Sequence, residues 1–319
     1  MKDQLSVLLD ESSPKETSAP DLSVVLVCWN NKDYLEPCLH SLYGSGMRHH
    51  FDVVVVDNGS TDGSQEMLRD RFPQVMLVQN SSNVGLGRAT NQGIEHSNGR
   101  YVLLLNNDTL VNGLSLDRMV DFLESTIDAG AVGGKLLTPD GSYQGAYAEF
   151  STLLQEFLIT IRLGELLWAG YPSHGDNNKQ KTVDWLSSAC LLVRRTAFEK
   201  VGLLDEEYFI YGDETDFQFR LRRAGWKVCY LPEVTTIHYG GRSLDRWRRR
   251  KMVYRGKMLF YKKNYGVFPE LMLRVMLGGL SFAKMLLWSA LWLFPWWQTR
   301  AKRELRSNLS LLGLCWNLQ

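Results

Sequence analysis

The pattern of apolar and polar positions changes character along the chain. From Leu22, apolar runs of strand length alternate with polar stretches of helical spacing, the signature of a parallel sheet covered by helices. Strands are predicted over Leu22–Cys28, Asp52–Asp57, Val75–Gln79 and Tyr101–Asn106, with helices beginning near Asp33, Asp62 and Gly87. A run such as Val53-Val54-Val55-Val56 has no polar face, so its sheet must be covered on both sides. From Val132 to Tyr239 the alternation is less regular. A Gly- and Asn-containing loop, Gly170 to Lys181, precedes the segment Trp185 to Arg194. After Gly240 the chain becomes basic, and then apolar and Trp-rich from Leu271 to Trp297.

Charge sharpens this division. The formal net charge is only +1, yet residues 1–241 carry 20 basic and 32 acidic side chains and residues 242–319 carry 16 and 3. The two parts are therefore expected to face different partners. The length suits two domains, or one large domain with an appendage. Five scattered cysteines form no Cys-x-x-Cys pair, which argues against a disulfide framework or zinc ribbon and for a reducing compartment. Residues 1–21 lack an apolar stretch and are expected to be a disordered leader rather than a signal peptide.

In a parallel sheet, ligands bind beyond the carboxyl ends of the strands, so the residues that follow those ends matter most. Asp57, ahead of Asn-Gly-Ser-Thr-Asp-Gly, is placed where a carboxylate could accept a hydrogen bond from a nucleobase ring N–H. Asp108 ends the next such run, where a carboxylate would bind Mg²⁺ or Mn²⁺ through hard oxygen ligands. Turn and capping roles are the alternative for both, because Asp and Asn serve well there.

Six motifs occur in order: Val-Cys-Trp-Asn-Asn at 27–31, Val-Asp-Asn-Gly-Ser-Thr-Asp-Gly-Ser at 56–64, Asn-Val-Gly-Leu-Gly-Arg-Ala-Thr-Asn at 83–91, Leu-Leu-Asn-Asn-Asp-Thr at 104–109, Asp-Trp-Leu-Ser-Ser-Ala-Cys-Leu-Leu-Val-Arg-Arg at 184–195 and Tyr-Gly-Asp-Glu-Thr-Asp-Phe at 211–217. Together they resemble glycosyltransferase family 2, with its α/β GT-A nucleotide-diphospho-sugar fold, over about Leu22 to Gly266. The rhamnosyltransferase-like members that build bacterial surface polysaccharide are the most similar.

The resemblance implies a domain over 22–241, with a nucleotide-binding half to residue 110 and an acceptor half beyond it, and a membrane-associating region over 242–319. It implies that Asp57 binds the donor base and that Asn30 and Asn83 line the nucleotide pocket. Asp108 would be the metal-binding carboxylate of the family's Asp-x-Asp motif. Asn106 replaces that motif's first Asp and, with Asn107, is left as a donor contact. Arg88 is a further candidate donor contact, with a surface role as its alternative; Asn91 is a candidate of the same kind. Glu214 aligns with the family's catalytic base, with Asp213 either its helix cap or the base itself. His238 matches a histidine near the metal and diphosphate, with Arg242 as charge partner. The implied reaction is a single inverting displacement, with Glu214 taking the proton of an acceptor hydroxyl. A saccharide or polyprenyl-linked molecule is the expected acceptor.

Leu271 to Trp297 is long enough to cross about 30 Å of hydrocarbon at about 1.5 Å per residue, but Arg274, Lys284 and Gly278-Gly279 weaken that reading. Helices lying in the inner leaflet at the cytoplasmic face, with the basic segment on anionic lipid, are expected instead. No nucleic-acid module accompanies the basic run. Two rivals remain at this stage. A nicotinamide-dependent oxidoreductase lacks its G-x-G-x-x-G after the first strand. A non-catalytic carbohydrate-binding protein of the same fold is kept open by Asn106 and the Asp213-Glu214 order.

Overall fold

A computed structural model describes residues 20–161, 163, 176–240 and 246–316. The expected leader therefore lies outside the described residues except for its last two positions, as do Arg242 and the first half of the loop expected over 170–181.

The strands are β1 (Leu22–Cys28), β2 (Phe51–Asp57), β3 (Met76–Gln79), β4 (Tyr101–Leu105), β5 (Thr109–Leu110), β6 (Ala129–Leu137), β7 (Tyr143–Gln144), β8 (Tyr147–Ala148), β9 (Lys181–Val183), β10 (Trp185–Leu186), β11 (Cys190–Arg194) and β12 (Lys227–His238). The helices are α1 (Lys32–Tyr43), α2 (Ser64–Arg71), α3 (Leu86–Glu95), α4 (Gly113–Ser125), α5 (Leu153–Thr160), α6 (Arg195–Val201), α7 (Asp213–Arg223), α8 (Arg246–Asn264), α9 (Val267–Leu291) and α10 (Gln298–Trp316).

The four early strands lie within a residue of their predicted bounds and pair in parallel in the order β3-β2-β1-β4. The sheet then continues through β11, β6, β12 and β5, with β11 antiparallel to both of its neighbours. It is thus a mixed sheet, and the irregular second half of the sequence supplies its antiparallel strands. Val53 to Val56 are all buried, because α3 and α1–α2 cover opposite faces of the sheet's first half, as the unbroken apolar run requires.

Where β12 runs beside β6, Leu231 pairs with Gly134 and Thr235 with Lys135, so three β12 residues bulge between consecutive β6 partners. Pro232 in that bulge has no N–H to leave unpaired. Val234 folds back over Gly134 so closely that a Cβ there would lie 2.3 Å from the Val234 carbonyl oxygen.

A second core joins α8, α9 and α10 to the rest of the chain. Met258, Phe260, Tyr261, Leu273, Leu277 and Cys315 cluster there with Tyr208, and with Phe150 and Phe219 against them. Part of the basic run faces inward with them. Lys257 pairs with buried Glu156 at 2.6 Å, and Lys263 pairs with Asp205 and, at 2.7 Å, with Glu207. The charge split seen in the sequence therefore serves partly to join the two segments, which corrects the expectation of wholly separate partners.

Gly134→Ala is expected to lower stability by about 1–3 kcal/mol, since the clash is with backbone in a packed sheet. Urea unfolding measures it, and an unchanged midpoint would contradict the account of the bulge.

Candidate active site

Loops beyond the carboxyl ends of β1, β2 and β4 bound a cleft of about 430 Å³, with the end of β12, the start of α7 and one face of α8 opposite them. Asparagines build its floor. Asn31 Nδ2 donates to Asn107 Oδ1 at 2.5 Å, and Asn107 Nδ2 donates to the Val27 carbonyl at 2.8 Å. Asn58 Nδ2 donates to Asn83 Oδ1 at 3.0 Å, while Asn58 Oδ1 accepts from the Val84 N–H. Asn83, Asn106 and Asn107 thus line the cleft as expected. Asn30 holds loops instead: its φ of +50° turns the chain, and its Oδ1 accepts from the Thr61 N–H at 2.7 Å. The cleft-lining residue of that pair is Asn31.

Asp57 is buried. Its Oδ2 accepts from Gln65 Nε2 at 2.7 Å and the Ser60 N–H at 3.1 Å, and its Oδ1 has no partner among the described residues. An orphaned buried acceptor is costly, and a donor on a bound molecule would relieve it.

Asp108 and His238 are brought together by pairing that local sequence does not show. β12 lies antiparallel to β5, with His238 opposite Thr109, which sets His238 Nε2 3.3 Å from Asp108 Oδ1. The Gly240 N–H donates to Asp108 Oδ2 at 3.0 Å. Gln144 Oε1 lies 2.6 Å from His238 Nδ1, so an Nδ1–H donated there leaves Nε2 a lone pair. Two acceptor atoms 3.3 Å apart make a favourable place for a metal ion. One carboxylate and one oriented imidazole fit a divalent ion that takes its other ligands from phosphate and water. Asn106 Nδ2 lies 3.3 Å from the same Nε2 and so borders the pair. No group of three or more His, Cys, Asp or Glu side chains able to hold a metal ion is found among the described residues.

The two acids at the start of α7 separate. Glu214 faces the cleft, whereas Asp213 is buried beneath it, beside a small internal space bounded by Asn106 and Ser188. Asp213 does not cap the helix: the cap position is Gly212, at φ +103°, and it makes no side-chain cap bond. Burial first, and then the adjacent Glu214, push the Asp213 carboxyl well above the usual carboxylate range. Its Oδ1 has no partner among the described residues.

Arg88 is corrected. It lies on the exposed face of α3, 3.7 Å from Glu206, and does not line the cleft. Asn91 is structural, its side chain bonded to both the N–H and the carbonyl of Leu204. Sequence reasoning missed Gln144, Trp185, Tyr211 and Arg249. Of these, Trp185, Tyr211 and Arg249 line the cleft, with the Arg249 guanidinium 5.8 Å from the Tyr211 ring. Arg249 sits inside a basic run in which nothing local distinguishes it from its neighbours.

The model of "Glycosyl transferase family 2" matches residues 23–202, more than half of the chain. The chain belongs to glycosyl transferase family 2. It is 32% identical over 241 residues to the N-acetylglucosaminyl-diphospho-decaprenol L-rhamnosyltransferase of Mycobacterium tuberculosis, covering 70% of this chain and 78% of that one. It is 24% identical to the rhamnosyltransferase WbbL of Escherichia coli, covering 68% and 82%. Among solved structures it resembles the Pyrobaculum calidifontis mannosyltransferase PcManGT, solved with GDP-mannose and Mn²⁺, at a TM-score of 0.57 and 16% identity, over 95% of this chain and 89% of that one. The fold is therefore GT-A, and the protein is a glycosyltransferase of polysaccharide synthesis rather than an oxidoreductase.

Asp213 gives the transferase a pH signature. Its folded form holds the proton more tightly than the unfolded chain, so its contribution to stability is complete below the unfolded carboxyl value of about 3.9 and is lost as pH rises toward the folded value. Asp213→Asn should therefore gain on the parent above about pH 4, by up to about 1.4 kcal/mol per pH unit across that window. Urea unfolding from pH 4 to 7 measures it, and parallel pH profiles would contradict the buried-acid assignment.

Proposed function

We propose that the transferase is inverting and divalent-metal-dependent, and that it moves a sugar, rhamnose by likeness to its relatives, from a nucleoside diphosphate to a lipid-linked saccharide. The observation that carries this reading is one cleft holding the Asp108–His238 pair, the asparagine floor and Glu214 together. The unpartnered Oδ1 of Asp57 suits a ring N–H of uracil or thymine. Relatives that act on rhamnose and on a polyprenol-linked acceptor support the substrates.

Glu214 takes the proton of the acceptor hydroxyl as that oxygen bonds to the anomeric carbon. The bond from that carbon to the donor phosphate breaks, and its electron pair leaves with the nucleoside diphosphate. One displacement inverts the centre. Asp108 and His238 would hold Mg²⁺ or Mn²⁺, which when bound supplies positive charge for the leaving diphosphate. Arg249 adds a cation on the same cleft.

The C-terminal helices suit a membrane surface. α9 is the one described helix long and apolar enough to span a bilayer, with a mean hydropathy of 1.5. Its packing argues against a span. Gly278 abuts the Trp316 ring, and Arg274 donates to the Cys315 carbonyl, so α10 lies along α9 and would have to cross with it. Exposed Lys302, Arg303 and Arg306 on α10 would then enter hydrocarbon, at about 2.5–3.5 kcal/mol each on insertion scales. The free face of α9 is an apolar stripe through Phe268, Leu271, Val275, Phe282 and Leu286 that continues into exposed Leu293 and Trp296. Such a helix lies in the interface, on the cytoplasmic face in this reading, with exposed Arg255 of α8 available to anionic lipid.

Glu214→Gln is expected to lower sugar transfer about 10²- to 10⁴-fold, and Asp108→Ala to abolish the activation by Mn²⁺. Glu214→Gln should leave nucleoside diphosphate affinity intact in calorimetry. Near-parental turnover in both variants would overturn the reading. Separately, the full chain should sediment with vesicles of phosphatidylglycerol, less so at high salt, and Val275→Glu with Leu286→Glu should release it. Equal sedimentation of both proteins would exclude α9 as the membrane face.

A further inference from the structure

A second cavity, of about 400 Å³, meets the first at Glu214. The two share Trp185, Tyr211, Glu214 and Val253, so the acid assigned as base stands on a common wall. The far walls come from the segment after β8, from α5 and from α8; all of α8 lies beyond the segment that the family model matches.

Five aromatic rings line the cavity above a polar floor. Phe150, Phe260 and Tyr261 contribute aromatic surface beside Trp185 and Tyr211. Beneath them, Glu156 is 1% exposed, receives Lys257 Nζ at 2.6 Å on both oxygens, and also accepts from Ser151 Oγ. The ammonium is matched by this carboxylate, and Glu149 and Glu214 add negative charge to the walls. A free anion would compete with Glu156, and a hydrocarbon chain would strand the polar groups. A neutral saccharide ring suits both surfaces, laying its C–H faces on the rings and its hydroxyls on the polar groups.

The shared wall is held at a conformational cost. Tyr211 has φ +64°, the left-handed region that residues other than glycine seldom adopt. Its carbonyl oxygen lies 2.2 Å from where a Cβ on residue 256 would sit, so α8 can approach only because that residue is glycine. Phe150, Phe260 and Tyr261 also belong to the core that carries Leu273 and Leu277 of α9. The cavity therefore lies between the base and the helix whose opposite face is apolar and exposed.

We infer that this cavity is the acceptor subsite, receiving the terminal sugar ring of the acceptor with its reacting hydroxyl turned to Glu214. The inference rests on the transferase reading above. In-line displacement needs nucleophile and leaving group on opposite sides of the anomeric carbon, and a base between two cavities meets that need.

The test uses the full chain, with N-acetylglucosaminyl diphosphate on a short prenyl chain as acceptor probe. Ile159→Trp fills the cavity from α5 and Thr215→Phe fills it from α7. Each should raise the acceptor KM at least about tenfold while the nucleoside diphosphate Kd stays within about twofold. Parental acceptor KM in either variant, with circular dichroism unchanged, would overturn the assignment. So would equal weakening of donor and acceptor, because the cavity would then be no separate subsite. Absence of nucleotide release by the unsubstituted protein from every donor would instead bring down the transferase reading itself.

Discussion

The register of β12 is the constraint on which the site depends. Its N-terminal part is fixed by long parallel pairing with β6, yet the functional end, His238, is paired only with two-residue β5. The bulge between Leu231 and Thr235 shifts the register before pairing with β6 resumes over Thr235 to Ile237, and it is seated by Val234 over Gly134. Because side chains alternate along a strand, a one-residue change there would turn His238 to the other face and away from Asp108. A glycine in the middle of the sheet, remote from any chemistry, thus determines whether the carboxylate and imidazole meet.

Features set by neighbouring residues were legible in the sequence, and those set by long-range pairing were not. The first four strands were readable because an unbroken Val and Leu run is a local signal, and the ends of β2, β3 and β4 then pointed to Asp57, Asn83, Asn107 and Asp108. Arg88 failed because helix periodicity alone does not say which face of α3 meets the sheet; the structure turns it to solvent beside Glu206. Asn30 and Asn31 are adjacent in sequence and opposite in role, and the positive φ at Asn30 decides which one enters the cleft. Gln144 and Arg249 carry no local mark. Each matters through a partner about 94 or 38 residues away, respectively His238 and Tyr211.

Charge was legible as a sum by segment but not as contacts. The basic run after residue 241 looked like a single surface, and the helix divides it by face. Lys257 and Lys263 turn inward to Glu156, Asp205 and Glu207, Arg249 turns to the cleft, and Arg248 and Arg255 remain exposed. One helix therefore touches the acidic domain, the cleft and the solvent where a membrane would lie. Salt is expected to act unequally on these contacts, since exposed pairs are screened and the buried Lys257–Glu156 pair is screened much less.

The order Asp213-Glu214 looked like an inversion that placed catalysis in doubt, and burial distinguishes the two acids. Two carboxyl groups side by side at a helix start cannot both ionise cheaply, and the environment decides which one gives way. Asp213 is buried beneath the cleft beside the Glu214 carboxyl, and it is the one pushed upward. The longer side chain stands on the wall between two cavities, where the chemistry needs a proton acceptor. A shorter acid at 214 would have to reach the same point through a backbone shift at Gly212, whose φ of +103° already places the turn against the Tyr208 ring. The extra methylene of Glu214 therefore supplies reach that the turn cannot, so the exchange of acids between the two positions is compatible with transfer.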